Sequence, residues 1–195
     1  MPNEPTPFKP HHQKQTTGPL WAVLAISLVA LLFHGPIHQP DHYHDFADSR
    51  TLLGVSNAWC VLSNIPFLLL SVWAARQWVL HPPAGAPAWL GFAFALFLTS
   101  LGSAFYHLNP SNTTLVFDRL PIALACAFLT CAFLAQRVHQ RWASPLPLLL
   151  STIFAIGSVL YWRITDLQGQ GDLRPYLFVQ FFPMLLIPVQ TALPW

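Results

Sequence analysis

Gly102-Ser-Ala-Phe-Tyr-His-Leu-Asn-Pro-Ser-Asn-Thr-Thr-Leu-Val-Phe-Asp118 sets a hydroxyl, an imidazole and a carboxylate into the gap between two apolar runs. On a helix Ser103 and His107 are four residues apart and share a face. Asp118 opens the next apolar run after the Asn109-Pro-Ser-Asn112 turn. If both flanking runs are helices, the three groups converge at one end of a helical hairpin.

The rest of the chain says what surrounds that hairpin. Of 195 residues, 54% are hydrophobic, 14% aromatic and only 8% charged, where a soluble domain carries about a quarter charged residues. Such a chain cannot give water a surface of ordinary polarity, and a bilayer is the solvent it suits. The formal charge of +2 is scattered, with no basic stripe along any segment, which sets nucleic-acid binding aside. Cys60, Cys126 and Cys131 fall inside apolar runs without metal-knuckle or redox spacing, and read as small core residues.

Apolar runs at Pro19 to Phe33, Leu52 to Leu80, Ala88 to Tyr106, Leu120 to Leu134, Pro145 to Trp162 and Tyr176 to Leu193 predict six helices. The first is short, but the His34-Gly-Pro-Ile-His-Gln-Pro40 that follows lacks a cleavage pattern, so it reads as a retained helix. Pro, Gly and Asn clusters punctuate the breaks, and Trp21, Trp78, Trp89, Trp142 and Trp162 near the run ends read as an interfacial belt. The expected fold is an all-α, polytopic membrane bundle: residues 1–18 form a disordered basic arm, and residues 19–195 form a single transmembrane domain. Lys9, Lys14, Arg76, Arg137 and Arg141 fall on one side, whereas Arg50, Arg119, Arg163 and Arg174 on the other each have an acidic neighbour. The positive-inside count predicts a cytoplasmic N-terminus in the cell (inner) membrane.

In this layout the loop from Asp41 to Arg50, the turn from His107 to Asp118 and the loop from Asp166 to Arg174 emerge at one membrane face. His107 is open to three readings: metal ligand, general base or helix-end histidine. Ser103 and Asp118 beside it favour function, because ionisable groups at membrane depth are costly. The trio lacks the nucleophile elbow of serine hydrolases. Imidazole suits zinc, a carboxylate can take a proton from an activated water, and a hydroxyl can hold a developing oxyanion. A catalytic zinc takes three protein ligands, and this cluster offers one imidazole.

The acidic loop with Asp45 and Asp48, followed by Asn57 and Asn64, offers hard oxygen ligands of the kind calcium takes. The alternative is a solvated loop, with the two asparagines serving as a helix cap and an interhelical hydrogen bond. Arg163 to Arg174 reads as a polar turn with locally paired charges. Paired broken helices of the sort that mark transporters are not evident.

Gly102-Ser103-x-x-x-His107, with Asp118 eleven residues on before Leu120-Pro121, resembles the central motif of the alkaline ceramidases, within a superfamily of seven-helix membrane hydrolases and receptors. Asn57-Ala-Trp59-Cys-Val-Leu-Ser63-Asn64 is similar to that family's first core helix, and the Gly171-Asp-Leu-Arg-Pro-Tyr176 segment follows in the order seen in bacterial members. The resemblance covers about Asp41 to Pro188. It implies a zinc-dependent amide hydrolase that cleaves ceramide-like lipids to a sphingoid base and a fatty acid. It makes His107 a zinc ligand, Ser103 an oxyanion holder and Asp118 the group that orients or deprotonates water, with calcium on Asp45, Asp48 and Asn57.

Two departures accompany it. Asn57 stands where the family has a carboxylate, and Arg50 where a calcium-binding amide is expected. The family's His-x-x-x-His zinc pair has no counterpart after His107, where the remaining histidine is His139. The chain therefore reads as a seven-helix core that is incomplete at its C-terminus and carries an extra N-terminal helix. His42 and His44 emerge on the right face as substitute donors. The alternative to the enzyme is a non-catalytic lipid-binding or receptor-like membrane protein, or an inactive fragment.

Overall fold

A computed structural model describes residues 17–192; the predicted basic arm and Leu193 to Trp195 fall largely or wholly outside that range. The chain is an all-α bundle: α1 (Gly18–His34), α2 (Ala58–Leu62), α3 (Ile65–Leu80), α4 (Ala86–Leu108), α5 (Asn112–Arg137), α6 (Pro145–Leu167) and α7 (Arg174–Ala192), with short 3-10 turns at Asp41–His44 and Gln140–Ala143. Five spans, counting Ala58–Leu80 as one, are long and apolar enough to cross a membrane. The chain is a multi-pass membrane protein, with the shorter α1 packed against α7.

Its surface is built for lipid. Leu69, Leu70, Val72 and Trp73 on α3, and Leu146, Leu149, Leu150 and Ile153 on α6, are all exposed. The interior is lined instead by small residues, among them Ala88, Ala93, Ala95, Ala123, Ala132 and Ala155. Lipid offers no hydrophobic drive to helix association, so close packing of small side chains has to supply it. The α4–α5 pair is the most extensive contact in the molecule, and Gly102 sits at its crossing: a Cβ there would run into the backbone carbonyl of Phe117.

Two predicted boundaries move for identifiable reasons. The run from Leu52 does not start as helix, because Leu53 and Gly54 hold positive φ in a turn closed by Leu52 and Val55, and Asn57 beyond it also holds positive φ. A break at Ser63–Asn64 then separates α2 from α3, where Pro66 lacks the N–H that would continue the ladder. The other change matters for the site. α5 begins at Asn112, eight residues before the predicted start, because the Ser111 hydroxyl accepts from Thr114 N at 3.2 Å and caps it. Asp118 is thus inside a helix, not at its mouth. Trp162, expected in the interfacial belt, is fully buried.

The connection after α1 is fastened to the α6–α7 loop. Leu173 N donates to Ile37 O at 2.8 Å, and the Asp172 carboxylate accepts from Ile37 N at 3.4 Å and from Arg174 N and Nε at 3.0 Å. Burial pushes the Asp172 carboxyl up, but the hydrogen bonds from Arg174 and Ile37 outweigh it and hold it below the ordinary carboxylate value. A depressed folded-state pKa adds stability that is present above the unfolded value, about 4, and lost as pH falls through the folded value. Asp172→Asn is therefore expected to cost about 2 kcal/mol at neutral pH and to flatten the loss of stability below about pH 4. Thermal unfolding in detergent across that range checks both.

Candidate functional site

α4 and α5 run antiparallel from the Asn109–Ser111 turn, so residues equally far from it lie at one depth. Ser103 is five residues before the end of α4 and Asp118 six residues after the start of α5, which places both about 8 to 9 Å inside at 1.5 Å per residue. The Gly102–Phe117 crossing then brings them together: the Ser103 hydroxyl lies beside the Asp118 carboxylate, on which the charges of His107 and Arg119 also act. Ser103 and Asp118 are each only 8% exposed. Asp118 Oδ1 and His107 Nδ1 are buried without a hydrogen-bond partner. Each is costly, since a buried donor or acceptor without a partner costs about 1 to 3 kcal/mol.

The loop after α1 roofs this cluster. The Phe46 ring lies 4.7 Å from the His107 ring, centroid to centroid. Asn57 Nδ2 donates to His107 O at 2.8 Å, which ties the start of α2 to the last turn of α4. Asn112 organises the rest: its Nδ2 donates to the Asp166 carboxylate, leaving Oδ1 to accept from Gln39 Nε2 and His44 Nε2, each at 2.9 Å. That orientation assigns the His44 proton to Nε2, so Nδ1 accepts from the Tyr106 hydroxyl at 2.9 Å. Arg163 binds Asp166 and donates to Thr113 Oγ1. The three polar segments therefore meet at one end of the bundle around a polar cavity of about 420 Å³, lined by His38, Gln39, His44, Asn112 and Asp166 among others.

Of the residues that the resemblance assigns to calcium, Asp48 and Asn57 have partners within the protein. Asp48 Oδ2 accepts from Trp59 N at 2.8 Å and Oδ1 from Arg50 Nε at 2.9 Å, so this carboxylate anchors the start of α2. Burial raises the Asp48 carboxyl, and the Trp59 and Arg50 hydrogen bonds more than reverse that, leaving it below its ordinary value. Asp45 is exposed, and Asn57 donates from Nδ2 to His107 O, a bond that does not involve its amide oxygen. The two asparagines divide their work differently from the sequence expectation: Asn57 makes the interhelical bond, whereas Asn64 donates locally to Cys60 O and Val61 O. The Arg163 to Arg174 segment keeps its local ion pairs but also makes the long-range contacts to Asn112 and Ile37.

The donor set can be set against the zinc that the resemblance implies. Among the described residues no three His, Cys, Asp or Glu side chains converge. His44 has both ring nitrogens engaged and is not a spare ligand. His107 and Asp118 supply one imidazole and one carboxylate, short of the three ligands of a catalytic zinc, so the described residues do not by themselves fit the ion.

Arg119 escaped the sequence reading except as a charge to be counted. It is 3% exposed, stacks on Trp162 with its Cζ 4.0 Å from the ring centroid, and donates from Nη2 to Gln39 Oε1. The available signal was an Asp-Arg pair inside an apolar run, where a lone charge is expensive.

Fold and site define a polytopic helical membrane protein with a buried Ser-His-Asp cluster beneath a polar roof. Comparison with protein-family models, curated proteins and solved structures gives no significant match.

Proposed function

We propose that the Ser103, His107 and Asp118 cluster is the reacting centre of a membrane-embedded hydrolase of ceramide-like lipid amides. The observation that carries this reading is the pair of buried, unpartnered atoms, His107 Nδ1 and Asp118 Oδ1, on groups whose charges act on one another, with the Ser103 hydroxyl beside the carboxylate. A structural cluster would be expected to satisfy itself; this one leaves a carboxylate oxygen and an imidazole nitrogen without partners.

The roles follow from those atoms. Asp118 accepts a proton from the attacking water. The single hydroxyl proton of Ser103, one helix away, is directed to the carboxylate at rest and turns to the amide oxygen once Asp118 has taken the proton of the water. His107 is fixed by its backbone bond to Asn57 and its ring contact with Phe46, so its free nitrogen keeps a set direction. Were zinc bound, His107 would be its one imidazole ligand among the described residues, and the ion would supply water activation at neutral pH.

The test is incubation of the purified chain with ceramide of defined acyl length, with and without added zinc, reading sphingoid base and fatty acid by mass spectrometry. Release of both in equal amounts, with about one bound zinc that is lost in His107→Ala, is the expected result. Unchanged ceramide from a folded, zinc-supplemented chain would sink the enzymatic reading. It would favour the second one, a lipid-binding or receptor-like protein, which the short donor set supports.

A further inference from the structure

Arg119 lies inside the bundle next to Asp118, and its surroundings do not satisfy it. One face of the guanidinium contacts Trp162 at 4.0 Å, and the Tyr176 and Tyr43 rings stand 5.1 and 5.4 Å from it. Nη2 donates to Gln39 Oε1. Nε and Nη1 are buried with no acceptor, and so is the indole Nε1 of Trp162 beneath them. Among the described residues no carboxylate lies within ion-pair distance of Arg119, since the salt bridges there use Arg50, Arg163 and Arg174, and Asp118 acts on it only as a nearby charge. A buried guanidinium without an ion-pair partner is costly, and the aromatic faces answer only part of the cost. Three buried donors at one spot call for an acceptor oxygen, preferably an anionic one.

The contact already present shows what the place accepts. Gln39 reaches it with an amide oxygen, while its amide nitrogen donates to Asn112. Gln39 also lines the polar cavity at the membrane face, and Tyr43, the outermost of the three rings, is 43% exposed. The approach from that face is thus covered by two side chains of one connecting segment. The walls on the other sides are transmembrane helices.

We propose that Arg119, with the Trp162 indole N–H, binds the carboxylate of a long-chain fatty acid. The choice of ligand rests on the hydrolase reading, in which this carboxylate is the product acid; the oxyanion preference rests on the unpartnered donors alone. Charge-assisted hydrogen bonds from a guanidinium to a carboxylate are about twice as strong as neutral ones. An uncharged group of the same size forfeits that difference.

The experiment is equilibrium binding of a radiolabelled long-chain fatty acid to the full chain in detergent, with competition by the unlabelled acid, by the alcohol of equal length and by inorganic phosphate. The acid is expected to compete about 10-fold or more better than the alcohol. Arg119→Gln is expected to bring the two within about 2-fold, and Arg119→Lys to fall between. Phosphate is expected to compete poorly. Equal competition by acid and alcohol in the native chain overturns the site, as does full discrimination in folded Arg119→Gln. Phosphate displacing the ligand as well as the acid does overturns the acyl-chain assignment. If Arg119→Gln does not fold, the acid-to-alcohol ratio in the native chain still decides. Loss of discrimination with ceramide hydrolysis intact defeats this inference alone, and discrimination without hydrolysis defeats the enzymatic reading alone.

Discussion

Asp118→Asn is expected to lower ceramide hydrolysis by about 10³-fold while leaving the chain folded. The size follows from what positioned general bases contribute, typically 10² to 10⁴ in rate. The folding half of the expectation follows from the site. Asparagine keeps the shape and retains an oxygen for the Ser103 hydroxyl, and Asp118 Oδ1 has no partner to lose. The substitution removes the negative charge beside His107 and Arg119 and the capacity to take a proton. Ser103→Ala is the useful companion: it frees the carboxylate without neutralising it, so a loss of about 10-fold is expected, in keeping with one hydrogen bond of about 1.5 kcal/mol to a charged group. Rates come from product release and folding from thermal unfolding in the same detergent. If Asp118→Asn turns over at more than a tenth of the native rate, Asp118 is not the base.

Much of this architecture was readable from the chain because bilayer physics is strict. A segment crossing lipid must satisfy its own backbone and be apolar for its whole length, so spans stand out in composition, and the punctuation at His81 to Gly85 and Gln168 to Asp172 falls between helices. Boundaries failed where a local device outweighed hydropathy. The Ser111 cap extends α5 through the polar Asn112-Thr-Thr, and Pro66 with the positive-φ residues around Leu53 delays and splits the second span. For the site, spacing was enough to put Ser103 and His107 one turn apart on the same helix. It could not reveal that Asp118 reaches Ser103 from six residues inside the neighbouring helix, because that depends on how closely α4 and α5 approach. Nor could it separate His44, held by Tyr106 and Asn112, from His42, which is exposed. Trp162 and Arg119 show the same limit: each lies near a run end, where a hydropathy reading puts belt residues and flanking charges, yet tertiary packing stacks one on the other in the interior.

The close approach of α4 and α5 depends on one missing methyl group, and Gly102→Ala tests it. A Cβ at Gly102 would overlap the Phe117 carbonyl, a backbone atom that cannot rotate away as a side chain can. The helices must separate, and the neighbouring residues on each, Ser103 and Asp118, separate with them. Overpacking in well-packed interiors costs about 1 to 3 kcal/mol, and a backbone collision belongs at the upper end, so a loss of about 3 kcal/mol is expected. Gly157→Ala supplies the control. Gly157 is also in a transmembrane helix, but a Cβ there meets nothing within 4 Å. Alanine has the better helix propensity, so that change is expected to be neutral or to stabilise by up to about 1 kcal/mol. The two differ only in what faces the new methyl. If the pair unfold at the same temperature, the tight crossing is not what holds the hairpin together. If Gly102→Ala folds but loses hydrolysis while Gly157→Ala keeps it, the crossing serves the site more than the fold, because a small widening is enough to take the Ser103 hydroxyl out of reach of the Asp118 carboxylate.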